Sequence, residues 1–433
     1  MLVYCPELSP RLKYILELLL SDLLGIKYTT TNLEDEFIHF EGPKLNYSFD
    51  PIGSFPFLEA SGMLFEPRII DQSEAMGPIF KWTDLPVFYK TKQASILPFD
   101  IFSAAFYLVS RFEEYLPFEP DKHDRFSSSE SLAFREGFLD KPIINLWSVK
   151  LGEVLKKLFG ENLHLHFPEY RFIPTIDIDN AWAFKNKGLR GLGSFFKKNQ
   201  TMEERNYRYQ VIRGKQADPY DQYLLLQRLF KKHDLDPIYF FLAGNLGPYD
   251  RNVSPLSREF KNLVKTISRE FKIGLHPSYS SNFLTERIQK EIHLLARLSD
   301  QDIIRSRQHF LKIQFPDTYR NLMHMGIKEE YTMGYADQLG FRASIANPFR
   351  FFDLESNKTT DLSVYPFQVM DVTLHDYMKL KPEEAIDKIA DIIDQTRAVG
   401  GTFSALWHNE SLSEWKEWTG WSVVFKKMLD MAV

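Results

Sequence analysis

Three stretches of this chain carry residue types that can do chemistry together. The first is PTIDIDNAW, residues 174–182, where Thr175, Asp177 and Asp179 alternate with Ile176 and Ile178. A β-strand puts every second side chain on one face, so two carboxylates end this strand side by side. Like charges held that close are costly unless something positive sits between or beside them. The second stretch is GLHPSYSS, with His276, and the third is SALWHNESL, with His408. Asp with two His is the ligand set of a hydrolytic metal site. Zinc takes carboxylate oxygen and imidazole nitrogen and leaves one position for water, and bound water loses a proton more easily. A carboxylate off the metal can take that proton as general base. A His on another strand can protonate the leaving group. Asp177, Asp179, His276 and His408 are therefore the candidates for a metal-assisted acyl-transfer site.

Such a site needs a scaffold that brings distant segments together. From about residue 167 onward, short apolar runs end in polar residues and helical patterns follow. The runs are RFIPTIDID, DPIYFFLAG, FKIGLH, IIRSRQHF, GFRASI, SVYPFQVMD and GTFSALWH. Strand then helix, repeated about seven times, predicts a parallel (β/α) barrel or a doubly wound sheet. In barrels the site forms where the C-terminal strand ends meet. Asp177, Asp179, His276, Arg307, His309, Arg342, Asp371 and His408 all fall at such ends.

Residues 1–165 read differently. A short strand, LVYC, precedes a helix from Arg11 to Leu24 that Gly25 would stop. The stretch from Pro43 to Lys92 reads as loop, and DIFSAAFYLVSRFEEYL and IINLWSVKLGEVLKKLFG read as helices. This predicts a smaller α/β N-terminal domain with no chemical signature, followed by a deformed barrel of about seven strands over 167–433.

The order of the strand-end segments resembles the polysaccharide deacetylases, the nodulation-type carbohydrate esterases that remove acetyl groups from sugars. That family opens its domain on a strand ending Thr-Phe-Asp-Asp-Gly. TIDID is similar, with one residue inserted between the carboxylates. The match implies Asp177 as base and Asp179 as metal ligand. In the family's second motif, His-Ser/Thr-x-x-His, His276 matches the first ligand, but Ser280 stands at the second. His309, in SRQHF, lies at the end of a neighbouring strand and could supply the missing nitrogen. The Arg that holds the base is matched by Arg307, with Arg342 as competitor or as a substrate contact. The closing Leu-x-x-His is approximated by SALWH, where Leu406 lies two residues before His408. His408 is then the general acid. Asp371 and Trp407 are further candidates against substrate, and Asp371 could equally orient His408 or cap a turn. The resemblance runs from about residue 167 to 425. It implies a divalent metal, zinc by the donor set, and a carbohydrate substrate.

Composition bounds the reading. The 433 residues are 44% hydrophobic and 26% charged, with net charge -5, which fits a globular chain and offers no basic surface for nucleic acid. One cysteine, Cys5, leaves no internal disulfide. No signal peptide or membrane span is read, which makes a cytoplasmic location the expectation. Structural readings compete. The Asp177 and Asp179 pair could cap a following helix, His276 could be a turn residue, and one of Arg307 and Arg342 is expected to be a salt-bridge residue only. YDRN, residues 249–252, reads as exposed loop, with a place along a sugar groove as the lesser alternative. KNKGLRGLGSFFKKN lacks a P-loop ending and reads as a connection over the barrel mouth. Its Lys185 and Lys187 are weak candidates for an anionic substrate. The rival functions are a degenerate barrel that binds a glycan without cleaving it, and a scaffold protein.

Overall fold

The computed structural model describes residues 1–187 and 201–433, and the chain divides into two units. Most of the stretch expected as a connection over the barrel mouth lies outside the described residues.

The first unit holds Met1–Arg171, Gly340–Pro366 and Asp394–Thr402. Its sheet takes strands β1 (Leu2–Tyr4), β2 (Thr29–Thr31), β3 (Lys44–Ser48) and β4 (Phe57–Glu59) in the order β2-β1-β3-β4, every pair parallel. Strands β5 (Phe80–Trp82) and β6 (Leu85–Val87) form a separate antiparallel pair. The stretch from Pro43 to Lys92 was expected as loop and contains four of these strands. Each is three to five residues long, too short to show a period. The first helix starts at Pro10 behind Ser9, whose side chain accepts from the Leu12 N–H, and after Leu16 it widens into a π-helix over Glu17–Leu23. Arg111, with φ of 55°, ends the Ile101–Val109 helix, so the expected longer helix breaks there.

The second unit holds Phe172–Leu339, Phe367–Ile393 and Phe403–Val433. The 167–433 span expected as one piece is thus interrupted twice. Seven strands line up as β11-β10-β9-β8-β7-β15-β14: β7 (Arg171–Ile178), β8 (Ile238–Leu242), β9 (Lys272–His276), β10 (Arg305–Ser306), β11 (Glu329–Glu330), β14 (Val369–Met370) and β15 (Thr402–His408). The pairs β7–β8, β8–β9, β9–β10, β10–β11 and β14–β15 are parallel. The two strands left out of this row, β12 (Phe349–Asp353) and β13 (Lys358–Val364), form an antiparallel hairpin in the first unit. The row does not close into a barrel by strand pairing. Beyond β11, the Phe367 N–H donates to the Met333 carbonyl at 3.0 Å, so the chain before β14 meets the chain after β11 there. GFRASI, expected as a strand, is a run of turns.

Residues Pro174–Ile178 are buried on both faces, as a parallel strand covered by helices requires. Pro174 lacks an N–H, and pairing with β8 begins one residue later, at Thr175. The covering helices follow the helical period: Arg258–Ser268 buries Phe260, Leu263, Val264 and Ile267. Full burial of such a side chain contributes about 1.5–3 kcal/mol. Gly274 in β9 is dictated by packing. A Cβ there would stand 2.5 Å from the Phe240 ring, and that ring in turn lies under the Arg307 guanidinium at 4.7 Å.

Candidate active site

The strand ends of the second unit bring Asp177, Asp179, His276, Arg307, His309, Asp371 and His408 together. Alternation along β7 points Thr175, Asp177 and Asp179 the same way, and Arg307 holds the first two. Its Nη1 donates to Thr175 Oγ1 at 2.6 Å and to Asp177 Oδ1 at 2.9 Å, and its Nε donates to the Tyr331 carbonyl at 3.0 Å. Asp177 is 1% exposed and Arg307 is fully buried. The carboxylate thus keeps its charge out of water beside a fixed guanidinium.

Asp179 is surrounded by imidazoles. His276 Nε2 lies 3.0 Å from its Oδ1, His309 Nε2 lies 3.3 Å from its Oδ2, and His408 Nε2 lies 3.6 Å from the same oxygen. The far side of each ring fixes its tautomer. His276 Nδ1 is 2.5 Å from the Arg307 carbonyl oxygen, which only accepts, so Nδ1 carries the proton. His309 Nδ1 is 2.9 Å from Asp250 Oδ1 and His408 Nδ1 is 2.8 Å from Asp371 Oδ1. Asp371 also accepts the His408 backbone N–H at 2.7 Å, which locks that ring twice.

With Nδ1 committed as donor, a neutral His276 or His309 presents a bare Nε2 lone pair to a carboxylate. Acceptor then faces acceptor. Asp179 Oδ1 is buried with no hydrogen-bond partner. Something positive belongs in the space between, and either protons or a cation can supply it. Proton uptake is visible in the charges of the chain itself. Burial works against a charged His309 ring, but the Asp179 carboxylate and hydrogen bonds to Asp179 and Asp250 outweigh it and raise the ring to about 9. Burial likewise opposes Asp179, yet His309 and His276 hold it well below the usual carboxylate range. One ligand atom each from Asp179, His276 and His309 lies within 4.8 Å of the others. A carboxylate oxygen and two imidazole nitrogens, each ring anchored through its other nitrogen, fit a zinc-type ion. Of the Asp pair in the sequence, Asp177 has its positive partner in Arg307, and Asp179 has its partners among the imidazoles.

His408 is not one of that trio, and its surroundings favour the charged ring. Burial opposes it, and Asp371, Asp179 and Asp177 raise it well above the ordinary histidine value.

Comparison with known proteins adds a family and a set of folds. Residues 1–160 match the model of a family described as a "Family of unknown function (DUF7033)". No curated protein matches the chain. Similar solved structures include the allantoinase Puue, 13% identical over 61% of this chain and 83% of that one, with a TM-score of 0.40. Another is a probable polysaccharide deacetylase from Pseudomonas aeruginosa PAO1, 12% identical over 60% of this chain and 83% of that one, with a TM-score of 0.38. A third is the polysaccharide deacetylase Bc1974 from Bacillus cereus, 13% identical over 60% of this chain and 86% of that one, with a TM-score of 0.30.

Two candidates from the sequence are not part of this cluster. Arg342 belongs to the first unit. It is 2% exposed, and its Nη2 and Nε donate to Glu114 at 2.6 and 3.0 Å. It is a salt-bridge residue there. Trp407 is fully buried. Its indole N–H points at Met428 Sδ, 3.2 Å away, and its ring packs on Phe425. Strand alternation puts it on the opposite face from His408, so it is core. Asp371 is in place, as a partner of His408. Ser280, at the position of the second His ligand in the resembled motif, lies 3.3 Å from Ser278 Oγ. Lys185 uses its backbone N–H, donating to Asp218 at 2.9 Å. Lys187 donates to the Asn180 side chain, and burial lowers its amine to about 8.

Sequence reasoning missed two buried carboxylates. Asp250, read as part of an exposed loop, is 3% exposed. It accepts from His309 and from the Tyr279 N–H at 2.8 Å. Its partner lies 59 residues away, so no local signal exists. Glu291, on the Thr285–Ser299 helix, accepts from Ser278 Oγ at 2.6 Å and from the Ser278 N–H at 3.0 Å. It thereby fixes the turn after His276. Burial raises it to about 7.

Proposed function

We propose that the chain is a metal-dependent hydrolase that removes an acyl group, acetyl from the nitrogen of an amino sugar or glycan precursor. The observation that carries this reading is the convergence of an Asp179 carboxylate oxygen with the Nε2 atoms of His276 and His309, two rings anchored through their other nitrogens. It sits between a carboxylate clamped by Arg307 and an imidazole clamped by Asp371. A base, an acid and a cation site in one cleft are more than a glycan binder needs.

In this reading Asp179, His276 and His309 hold the divalent ion, and His309 takes the place that the resembled motif gives to a His at 280. Such an ion, when bound, polarises a carbonyl and acidifies water. Asp177 accepts a proton from the attacking water, and Arg307 keeps its carboxylate aimed. His408 Nε2–H donates its proton to the leaving nitrogen as the C–N bond breaks. Asp371 holds that ring with Nε2 facing the cleft and stabilises its positive charge. The water oxygen ends in acetate and the amine leaves as the free sugar amine, so atoms and protons balance.

The test is metal content by elemental mass spectrometry on wild type, Asp179→Ala and His276→Ala, followed by acetate release from N-acetylated sugars. About one equivalent of metal in wild type, lost in both variants, is the expected result. Wild type that takes up no metal after zinc dialysis would sink the hydrolase and favour a binding barrel.

A further inference from the structure

Three consecutive strands each send one aromatic ring to the same place. Tyr249 follows β8, Tyr279 follows β9 and Phe310 follows β10. Tyr249 and Tyr279 have ring centroids 4.4 Å apart at 41°. Phe310 meets Tyr249 at 5.4 Å and Tyr279 at 5.3 Å, both nearly edge-on. The same Phe310 ring lies 4.6 Å from the His309 imidazole, and His309 lies 4.9 Å from His276. An aromatic wall therefore runs directly out from the candidate metal ligands.

Two features separate this wall from an ordinary small core. Tyr249 keeps 47% of its surface exposed, although it is anchored by both neighbours. Phe310 and Leu311 hold left-handed backbone, with φ of 60° and 54°. Bulky residues avoid that region, and such conformations persist where a site requires them. Here the strained turn is what puts Phe310 against His309. It also places Lys312, 1% exposed, with its ammonium 5.6 Å from the Tyr279 ring, a contact that helps hold that ring in place.

We propose that Tyr249, backed by Tyr279 and Phe310, is a carbohydrate-stacking platform. It takes the sugar ring adjoining the acylated one, with the ring's C–H face laid on the exposed tyrosine. An aromatic face carries a negative quadrupole that favours polarised C–H groups, and a pyranose offers a flat array of them. The platform rests on the deacetylase reading for its position beside the reacting group, and it extends that reading to an oligosaccharide of at least two sugars. Tyr249 is a binding residue. It touches substrate, and Tyr279 and Phe310 position it.

The experiment uses the full chain and the β-1,4-linked tetramer of N-acetylglucosamine as probe. Binding to wild type, Tyr249→Ala, Tyr249→Phe and Tyr249→Leu is measured by calorimetry, alongside melting temperature, metal content and acetate release. Stacking predicts that Tyr249→Ala weakens binding about tenfold, that Tyr249→Phe keeps it, and that Tyr249→Leu, with similar bulk but no ring face, does not restore it. KM for the tetramer rises in step with the loss of binding. Two results overturn the platform: tetramer that does not bind wild type, or a Tyr249→Ala protein that melts early and loses metal while binding the tetramer normally. Tetramer binding that depends on the Tyr249 ring without any acetate release overturns the hydrolase and leaves the platform standing.

Discussion

The two units each bury a charged cluster, and the two clusters are built on opposite principles. In the first unit every charge meets its opposite. Arg111 donates to Glu114 at 2.7 Å and to Glu113 at 2.9 Å, and Arg342 donates to Glu114 at 2.6 Å. Those guanidiniums hold Glu114 below its ordinary value even against full burial. Arginine forks match carboxylates bidentately, and the result is complete without a ligand. In the second unit Arg307 and Asp177 follow the same rule, but Asp179 faces two imidazoles, His276 and His309, that pair with it only by taking up protons or by sharing a cation. That half of the cluster is matched only when something positive enters. Burial and charge are common to both units. What distinguishes a site from a staple is whether donors and acceptors already balance.

The contrast can be broken by experiment. The largest effect is expected for Asp177→Asn, which keeps shape and loses the base. Acetate release should fall by about 10²- to 10⁴-fold in the folded protein with metal content unchanged, and a variant that retains activity would remove Asp177 from the chemistry. Glu114→Ala strands two buried guanidiniums and should cost about 3–5 kcal/mol of stability by denaturant unfolding, yet leave zinc affinity alone in whatever protein remains folded. Equal loss of zinc affinity would erase the distinction between the clusters. Asp250→Asn removes the anchor of His309 and should weaken metal binding about 10- to 100-fold, read by chelator competition. The smallest effect belongs to Glu291. Its pKa rises from 4.5 to about 7 in the folded chain, so the stability of its protonated form is fully present below about pH 4.5 and is lost as pH rises through about 7. Wild type should therefore lose stability over that window relative to Glu291→Gln. Parallel pH curves for the two proteins would show that burial does not raise the Glu291 carboxyl.

How much of this was legible follows from the range of each signal. The Asp177 and Asp179 alternation is a property of five adjacent residues, and it reads directly as two carboxylates on one strand face. His276, His309 and His408 were visible because apolar runs lead into them. Their convergence on one carboxylate was an expectation of the strand-helix rhythm. Arg342 has the same local look, since it follows an apolar Phe341, but GFRASI forms turns and Glu114 claims the side chain. Trp407 precedes a site residue in sequence and points the other way, as the period of a strand requires. Asp250 and Glu291 had no sequence signature because their roles exist only through His309 and Ser278. The strands from Lys44 to Val87 were hidden by brevity, and the open row of strands by the two-residue length of β10, β11 and β14.

The division of the chain into interleaved segments has a consequence for synthesis. Glu114 is made 228 residues before Arg342, an interval of roughly 10–45 s at translation rates of about 5–20 residues per second. For that time a nascent chain carries the Arg111 and Glu114 pair without its third member, and the first unit is not complete until Thr402 has left the ribosome. Asp179 waits as long for His408, which arrives in the last segment, Phe403–Val433. Neither unit is complete before Thr402 has been made, which makes truncation at either boundary a poor route to a working half.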